Sequence, residues 1–320
     1  MVRVLKDVGR CGVPVLLAAV CCLGVSNAGA SEEAPQPASL APAAEILEQT
    51  GVRGGLIVHL GCGDGKLTAA LRAHDRYLVH GLETDPATVG QARKHVRALG
   101  LYGNVSVDEF EGKRLPYADD LVNLLVAEKL GDVAMEEVMR VLAPRGVAYV
   151  KSGGRWTKTV KPWPAAIDPW THYLHDASND GVARDPRVGP PRRLRGKCGP
   201  EWLRSHEYTA SLISMVSAGG RVFYIVDEGL TGVTPEFLPE KWMLTARDAF
   251  NGVLLWKRKL ADLRGQRWNN RSMRGVPPWL RRLLVAEDDR LFLPLGLDSP
   301  VSIVDGATGE GLATCEGSEG

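Results

Sequence analysis

Cysteine is scarce in this chain of 320 residues, which contains only six. Three of them lie within the first thirty residues, and the others are scattered at positions 62, 198 and 315. The scattered cysteines have neither the spacing of a zinc site nor the density of a disulfide framework. We therefore expect no disulfide scaffold and no cysteine-based zinc site.

An excess of charge of one sign is also missing. The chain has 39 basic and 38 acidic residues, for a formal net charge of +1. This balance gives no reason to expect a nucleic acid as partner. With 44% hydrophobic residues and this length, the chain is expected to be globular, with room for two domains of ordinary size.

The apolar run at the N-terminus, Val13–Val25, is shorter than the roughly 20 residues that a membrane-spanning helix needs. Three basic residues precede it and Ala28-Gly29-Ala30 follows it. This order is typical of a secretory signal peptide over residues 1–30. The sequence thus predicts export to the periplasm or the extracellular space and a mature chain without a transmembrane helix. One alternative is an uncleaved anchor. The other is a misassigned start codon, and only then is the protein cytoplasmic.

After the signal peptide, residues 31–43 are rich in Ala, Pro and Glu and are predicted to be a flexible tether. Residues 44–155 then alternate short apolar runs with helix-like segments, which favours an α/β domain with a Rossmann-like, doubly wound parallel sheet. A Trp-, Pro- and Arg-rich linker is predicted over 156–200 and an all-β region over 201–320. The predicted strands of the α/β domain are 55–60, 77–82, 104–107, 120–126 and 147–151, and its main helices are 66–73, 86–99 and 135–142.

The all-β region contains a weak internal repeat. Asp248-Ala-Phe-Asn-Gly252 recurs as Asp305-Gly-Ala-Thr-Gly309, and residues 216–224 recur as 285–293. Asp-x-x-x-Gly between two strands is typical of a turn in which Asp accepts backbone hydrogen bonds and Gly takes a positive φ. The sequence predicts two such turns.

The loop Gly61-Cys62-Gly63-Asp64-Gly65 follows the first predicted strand. Ligands of a parallel sheet bind beyond the carboxyl ends of its strands. We expect Gly61 to permit the tight turn, Gly63 to let a ligand approach the backbone, and Gly65 to allow close helix packing. A dinucleotide fingerprint is G-x-G-x-x-G, whereas Lys66 stands here at the third glycine position, which argues against a nicotinamide dehydrogenase.

Two acids further along complete the candidate cofactor site. Glu83 ends the second strand and could accept hydrogen bonds from both hydroxyls of a ribose. Asp85, close by, is better suited to cap the next helix. Glu109, with Glu111 as the equal alternative, follows the third strand and could face an adenine amino group.

Residues 58–150 resemble class I S-adenosylmethionine-dependent methyltransferases of the small-molecule type. The matching stretches are His59-Leu-Gly-Cys-Gly-Asp-Gly-Lys66, Gly81-Leu-Glu83, Leu115-Pro-Tyr-Ala-Asp-Asp120 and Val138-Met-Arg-Val-Leu-Ala-Pro144. The resemblance implies S-adenosylmethionine as cofactor, held by Gly61, Cys62, Gly63, Asp64, Gly65, Glu83 and Glu109. The methyl acceptor and the catalytic residues cannot be assigned, because this transfer needs little beyond positioning and desolvation.

The chain departs from that family at several positions. His59 stands where the family has an acid that helps to hold the methionine amino group, and Asn123 replaces the usual acid in strand four. Arg145 replaces one glycine of the family's "PGG" stretch. The family's final antiparallel hairpin is not evident after Lys151, although Trp156–Trp163 could be its remnant.

The all-β region resembles the β-propeller repeats of pyrroloquinoline-quinone-type proteins. The match is carried by residues 246–256, which end at Trp256, and by residues 301–309. In that family the tryptophan docks between blades; its counterpart in the second copy is Ala313. A propeller closes with about four to eight blades, and roughly two are present. We therefore interpret the region as a partial propeller, either truncated or completed by a partner. The resemblance suggests pyrroloquinoline quinone as a cofactor, but the sequence shows no calcium or quinone ligands to support it.

Two functions are therefore weighed. Intact Gly61, Gly63, Gly65 and Glu83 favour a methyltransferase fused to a propeller-like region. The export signal favours an exported propeller-type binding or scaffold protein whose methyltransferase-like domain no longer turns over, because S-adenosylmethionine is a cytoplasmic cofactor.

For three other groups of residues a structural role is favoured over a catalytic or metal-binding one. His172, His175 and Asp176 are close enough in sequence for a metal site, which His206-Glu207 could complete. A structural role is favoured, however, and no metal site is predicted. Cys62 is expected to pack beneath the ligand and not to act as a nucleophile. Trp163, Trp170 and Trp202 are expected to pack between domains or blades.

Overall fold

The computed structural model describes residues 40–186, 212–229, 241–261, 280–296 and 299–318. Helices and strands alternate in the first part of this range, as the sequence predicted. The helices are α1 (Leu40–Thr50), α2 (Lys66–Ala70), α3 (Pro86–Ala98) and α4 (Met135–Val141). The strands are β1 (Gly55–Leu60), β2 (Tyr77–Glu83), β3 (Val105–Glu109), β4 (Val122–Ala127), β5 (Leu142–Ser152) and β6 (Arg155–Val160).

These six strands form one sheet in the order β3-β2-β1-β4-β5-β6. The first five are parallel, and β1 pairs with both β2 and β4, so the strand order reverses at β1. The Rossmann-like parallel sheet is thereby confirmed. Strand β6 runs antiparallel to β5, and Trp156 at its start stacks on Tyr149 with ring centroids 4.8 Å apart. The final hairpin, expected only as a remnant, is thus a regular strand pair.

Apolar residues cover both faces of this sheet. Helices α1, α2 and α3 pack on one face, where Ile46, Leu71 and Ala92 are buried against strand residues. Helix α4 packs on the other face through Val138 and Val141. None of the helices in the described residues has the length and apolarity needed to cross a membrane.

The start of α1 differs from the sequence prediction. Residues 31–43 were expected to form a tether, whereas the helix begins at Leu40. Ala43 is 1% exposed and packs against the sheet together with Ile46, so burial of an apolar face explains why residues assigned to the tether are helical. Pro42 is compatible with this start because the first turn of a helix needs no backbone donor. The signal-peptide prediction lies outside the described residues, as does the tether up to residue 39.

Helix α3 has the predicted cap. The Asp85 carboxylate accepts hydrogen bonds from the amides of Ala87 (3.3 Å) and Thr88 (3.0 Å), and Pro86 occupies the first helical position. These bonds satisfy donors that have no partner within the helix. Asp85 therefore serves the helix and leaves Glu83 as the acid of this strand end.

The second part of the described residues contains two antiparallel sheets of four strands. The first has the order β10-β9-β8-β7 and the second the order β11-β12-β13-β14, so each is a simple meander. They share one apolar core that includes Phe223, Leu244 and Leu291. The strands are β7 (Leu212–Ala218), β8 (Arg221–Asp227), β9 (Trp242–Asp248), β10 (Leu254–Lys259), β11 (Val285–Glu287), β12 (Arg290–Pro294), β13 (Val301–Asp305) and β14 (Gly311–Cys315).

The two Asp-x-x-x-Gly turns have the same geometry in both sheets. Asp248 Oδ1 accepts hydrogen bonds from the amides of Phe250 and Asn251, and Asp305 Oδ1 accepts those of Ala307 and Thr308. Gly252 and Gly309 end the turns at φ of 75° and 79°. Both predicted turns are confirmed.

Trp256 joins the two sheets. Its side chain is 9% exposed, and Nε1 donates a hydrogen bond to the Gly306 carbonyl at 3.0 Å. A Cβ on Gly309 would come within 2.7 Å of the indole ring. The tryptophan of the first sheet thus packs against the Asp305–Gly309 turn of the second, whereas Ala313 is exposed on β14.

Candidate functional site

The glycine loop connects β1 to α2 at the carboxyl ends of the parallel strands. The amides of Gly61 and Cys62 donate to the Leu82 carbonyl at 2.8 and 3.2 Å, which ties the loop to the end of β2. Gly61, Gly63 and Gly65 all have positive φ, at 70°, 51° and 79°. This backbone path favours glycine at all three positions.

The three glycines differ in their surroundings. A Cβ on Gly65 would lie 3.0 Å from Ala92 Cβ, so this glycine allows the loop to pack against α3. A Cβ on Gly61 or Gly63 would meet no atom within 4 Å. The backbone at these two positions therefore borders open space, where a ligand can approach it.

Glu83 lies beside the loop, although 20 residues separate it from Gly63. Its Oε2 accepts a hydrogen bond from the Gly63 amide at 3.1 Å, and its Oε1 accepts one from the Thr84 amide at 2.8 Å. The carboxylate is half-buried. The parallel pairing of β1 with β2 brings the two motifs together, and an acid is thus fixed at the mouth of the loop.

Of the remaining predicted cofactor residues, Asp64 and Glu109 are exposed. Asp64 forms an ion pair with Lys66 at 2.7 Å, and Lys66 replaces the third glycine of a dinucleotide loop. Glu109 is the last residue of β3 and is in register with Glu83 on β2. Its alternative Glu111 is exposed two residues later.

Cys62 is buried and packs against the middle of β2. A Cβ on Gly81 would lie 3.0 Å from both Cβ and Sγ of Cys62, so position 81 has no room for a larger residue. Burial raises the pKa of the Cys62 thiol to about 12, and the Glu83 carboxylate acts in the same direction. The neutral thiol supports the packing role, because the thiolate is the nucleophilic form.

His59 is 3% exposed, and its Nδ1 lies 2.8 Å from Thr68 Oγ1. Burial lowers the pKa of His59 to about 4, although the Glu83 carboxylate opposes this change. The imidazole is therefore neutral at pH 7. At this position the loop has a neutral side chain hydrogen-bonded to α2 in place of a negative charge.

A hydrogen-bonded chain of three side chains lies on the neighbouring strands, and sequence reasoning missed it. The Tyr117 hydroxyl is 2.7 Å from His80 Nδ1, and Asp108 Oδ2 is 3.0 Å from His80 Nε2. Burial lowers the pKa of His80, so Tyr117 donates to Nδ1 and Nε2 donates to the carboxylate. This chain fixes the loop before β4 to β2 and β3. The one signal in the sequence was the position of Tyr117 in the Leu115-Pro-Tyr117 stretch.

The structure gives a reason for Asn123. Its Oδ1 accepts hydrogen bonds from the amide of Leu56 (2.8 Å) and from Asn251 Nδ2 (2.7 Å), and its Nδ2 donates to Asp248 Oδ2 at 2.7 Å. Asp248 belongs to the first Asp-x-x-x-Gly turn and is 7% exposed. An acid at position 123 would be repelled by this buried carboxylate. The Asn123 amide instead forms hydrogen bonds with the first β sheet.

Arg145 has φ of 64°, a conformation that favours the glycine usual in the related family. Its guanidinium lies over the Trp163 ring, 5.1 Å from the centroid, and Trp163 contacts Phe250 edge to face. These contacts offset part of the backbone strain. Trp163 packs between the α/β domain and the first β sheet, as predicted, whereas Trp202 lies outside the described residues.

A polar cavity of about 520 Å³ lies at this contact, at the opposite edge of the sheet from the glycine loop. Its lining includes Arg53, Asn123, Arg221 and Asp248. Cofactors of parallel sheets bind at the carboxyl ends of the strands. The glycine loop, and not this cavity, is therefore the candidate cofactor site.

The residues considered for a metal are only partly brought together. His172 Nδ1 is hydrogen-bonded to Thr171 Oγ1 at 2.8 Å, and His206-Glu207 lies outside the described residues. His175 and Asp176 lie together with Asp180, which the sequence did not indicate as a metal ligand. Trp170 contacts the His175 ring edge to face.

Comparison with known proteins supports the α/β domain as a methyltransferase domain. Residues 57–146 match the family model described as "Methyltransferase domain". Methyltransferase GfsG of Streptomyces halstedii is 32% identical in an alignment 127 residues long, which covers 35% of this chain and 46% of that protein. The chain thus spans about half the length of this curated relative.

Two solved structures are similar in the same region. A SAM-dependent methyltransferase from Aquifex aeolicus is 23% identical, with a TM-score of 0.31, over 35% of this chain and 64% of its own. Geranyl diphosphate C-methyltransferase from Streptomyces coelicolor A3(2) is 22% identical, also with a TM-score of 0.31, over 34% and 44%. The sheet order shows a Rossmann-like fold, and residues 57–146 within it are similar to methyltransferase domains.

Proposed function

We propose that this protein is an S-adenosylmethionine-dependent methyltransferase in which the loop Gly61–Gly65 and Glu83 hold the cofactor. The observation that carries the proposal is the position of Glu83, whose carboxylate is fixed beside the Gly63 amide at the carboxyl edge of the sheet. An acid there can accept hydrogen bonds from ribose hydroxyls. The match of residues 57–146 to a methyltransferase domain supports the same cofactor.

The residues present fit this cofactor better than a dinucleotide. Gly61 and Gly63 border open space, so a nucleoside or a methionine group can approach the loop backbone. Lys66 and its ion pair with Asp64 occupy the third glycine position, where a pyrophosphate would need a bare backbone. Glu109, in register with Glu83, stands where an adenine amino group can be met.

S-adenosylmethionine supplies an activated methyl group on a sulfonium, so the chain itself needs to position the acceptor and exclude water. We infer that Glu83 orients the cofactor and that Cys62 and His59 support the loop from below as neutral side chains. The methyl acceptor stays unassigned. The Trp256 contact and the two matching turns support the further proposal that the two β sheets are propeller-type blades.

A second candidate function is that of an exported propeller-type binding protein whose α/β domain keeps the fold without turnover. The buried, neutral His59 at the position of the family's acid favours this candidate, because the loop lacks one charge for a methionine amino group. Export stays a prediction from the N-terminal sequence.

Calorimetric titration of the chain with S-adenosylmethionine, and with NAD⁺ as a negative control, tests the cofactor binding that the methyltransferase proposal requires. We expect saturable binding of S-adenosylmethionine alone. Glu83→Gln should weaken this binding by about 1.5–3 kcal/mol, the contribution of a hydrogen bond to a charged group. Glu48→Gln, at an exposed position on α1, is the matched control and should leave the affinity unchanged.

Absence of heat at near-millimolar S-adenosylmethionine would refute the methyltransferase proposal and leave the binding-protein candidate. Binding with equal affinity in Glu83→Gln and the parent chain would show that the ribose lies elsewhere.

A further inference from the structure

The His175 imidazole lies in a cluster of carboxylates in the segment between β6 and β7. It is 2% exposed. Its Nε2 is 2.7 Å from Asp168 Oδ2, and its Nδ1 is 3.4 Å from Asp176 Oδ2 and 3.8 Å from Asp180 Oδ1. Among the described residues, this buried Nδ1 has no hydrogen-bond partner.

The contact with Asp168 fixes the tautomer of the neutral ring. Asp168 Oδ2 also accepts the Arg184 amide at 2.6 Å, so it is an acceptor and His175 Nε2 carries the proton. Nδ1 then presents a lone pair to two carboxylate oxygens. These three electron-rich groups repel one another, and a cation bound between them would remove that repulsion.

The spacing of these atoms fits a small divalent ion. Two ligand atoms at about 2.1 Å from a tetrahedral metal lie about 3.4 Å apart, and the Nδ1–Asp176 separation has this value. All three ligand atoms lie within 4.8 Å of one another, so a small movement of Asp180 closes the set. Hydrogen bonds between the atoms, by contrast, would need shorter distances.

We propose that His175 Nδ1, Asp176 and Asp180 bind a divalent transition-metal ion, with Asp168 as the carboxylate that orients the imidazole. A metal-bound histidine usually donates its second ring N–H to such a carboxylate. Mixed imidazole and carboxylate ligands suit Zn²⁺ among the divalent ions, and three protein ligands leave one tetrahedral position to solvent.

The charges of the cluster agree with a bound cation. Three carboxylates face one guanidinium, that of Arg184, which pairs with Asp176 at 3.2 Å and with Asp180 at 2.5 Å. Arg184 is 62% exposed and offsets only part of this negative charge. The Asp176 Oδ1 atom accepts hydrogen bonds from Ser178, whereas Oδ2 faces His175 and also accepts one from Arg184.

The segment that carries the cluster is also attached to both β sheets. The Trp170 carbonyl accepts the Ser217 amide of β7 at 2.7 Å, and the Thr171 carbonyl accepts the Ala286 amide of β11 at 2.9 Å. A metal held by His175, Asp176 and Asp180 would therefore rigidify the segment that joins the two sheets.

The test is Zn²⁺ binding to the intact chain, measured by competition with a chromophoric chelator, and Co²⁺ substitution followed by absorption. We expect one Zn²⁺ whose Kd rises at least about tenfold in Asp176→Asn and in Asp180→Asn, and about 10–100-fold in the orienting variant Asp168→Asn. Asp132→Asn, an exposed aspartate before α4, is the matched control and should bind like the parent. Bound Co²⁺ should show ligand-field bands without a thiolate charge-transfer band.

The proposal is overturned if the chain binds no Zn²⁺ beyond weak surface sites, which would indicate a charged imidazolium between the carboxylates. It is equally overturned if Asp176→Asn and Asp180→Asn bind as tightly as Asp132→Asn, or if Co²⁺ shows thiolate ligation. Circular dichroism in the presence of a chelator checks that each variant folds. The Asp180 side chain is 37% exposed, so its variant keeps the test valid if Asp176→Asn does not fold.

Discussion

Exchange of Asn123 and Asp248 tests how the α/β domain is joined to the first β sheet. The Asn123 amide donates to Asp248 Oδ2 at 2.7 Å and accepts from Leu56 and Asn251. Asn123→Asp replaces the donor by an acceptor and restores the acid that the related family has in this strand. We expect this change to destabilise the present chain, because its partner is already a buried carboxylate.

The expected decrease in the free energy of unfolding has two contributions, a lost hydrogen bond and a new repulsion. A hydrogen bond to a charged group contributes about 1.5–3 kcal/mol. Two carboxylates about 4 Å apart repel by about 4 kcal/mol at an effective dielectric constant of about 20, unless one of them takes up a proton. Burial already raises the pKa of Asp248, although the Asn123 amide opposes this, so protonation limits the repulsion. We expect Asn123→Asp to cost about 3–5 kcal/mol in the free energy of unfolding at pH 7.

The double exchange, Asn123→Asp with Asp248→Asn, should recover most of this loss. An aspartate at 123 can still accept from Leu56 and Asn251, and an asparagine at 248 can donate across the contact while its carbonyl oxygen accepts from Phe250 and Asn251. Urea unfolding of the parent, both single variants and the double variant forms a double-mutant cycle, which isolates the interaction between the two positions. The expected coupling is at least about 2 kcal/mol.

A double variant as unstable as the sum of its single variants would refute this account, because it would show that the two side chains do not interact. Recovery of the Asn123→Asp variant as the pH is lowered is a second expected result. Protonation of the carboxylate pair removes the repulsion in that direction.

The remaining predictions concern the loop support and the contact between the β sheets. Because His59 binds a proton at about pH 4 when buried and at 6.5 when unfolded, stability should fall by about 3 kcal/mol as the pH is lowered through that window. His59→Asn should flatten the stability profile measured by urea unfolding, whereas the exposed-site control His74→Asn should not; equal profiles would contradict the assignment. Gly309→Ala places a Cβ 2.7 Å from Trp256 at φ of 79°, whereas Gly317→Ala has the same φ and meets no atom within 4 Å. Thermal unfolding should show Gly309→Ala to be the less stable variant by about 1–3 kcal/mol, and similar losses in both would mean that backbone strain alone is responsible.

Local patterns in the sequence predicted the elements that depend on nearest neighbours. Apolar runs gave the five parallel strands, Asp85-Pro86 the start of α3, and the Asp-x-x-x-Gly spacing both turns. Two features were not predicted: β6 as a regular strand and the hydrogen-bonded chain of His80, Asp108 and Tyr117. Both depend on contacts between segments that are distant in the sequence, and no local pattern specifies such contacts. The start of α1 was likewise set by burial of Ala43 against the sheet.

By itself, the sequence determined the glycine loop and the acid at the end of β2 beside it, because glycine spacing and a strand-terminal carboxylate act through local backbone geometry. Only the tertiary structure decided why Asn123 and Arg145 depart from the related family, since their partners Asp248 and Trp163 are set by contact with the β sheets. It also decided that His175 meets Asp180 as well as Asp176, leaving a buried ring nitrogen unpaired. Such contacts depend on which elements pack together, and no local pattern in the chain specifies that.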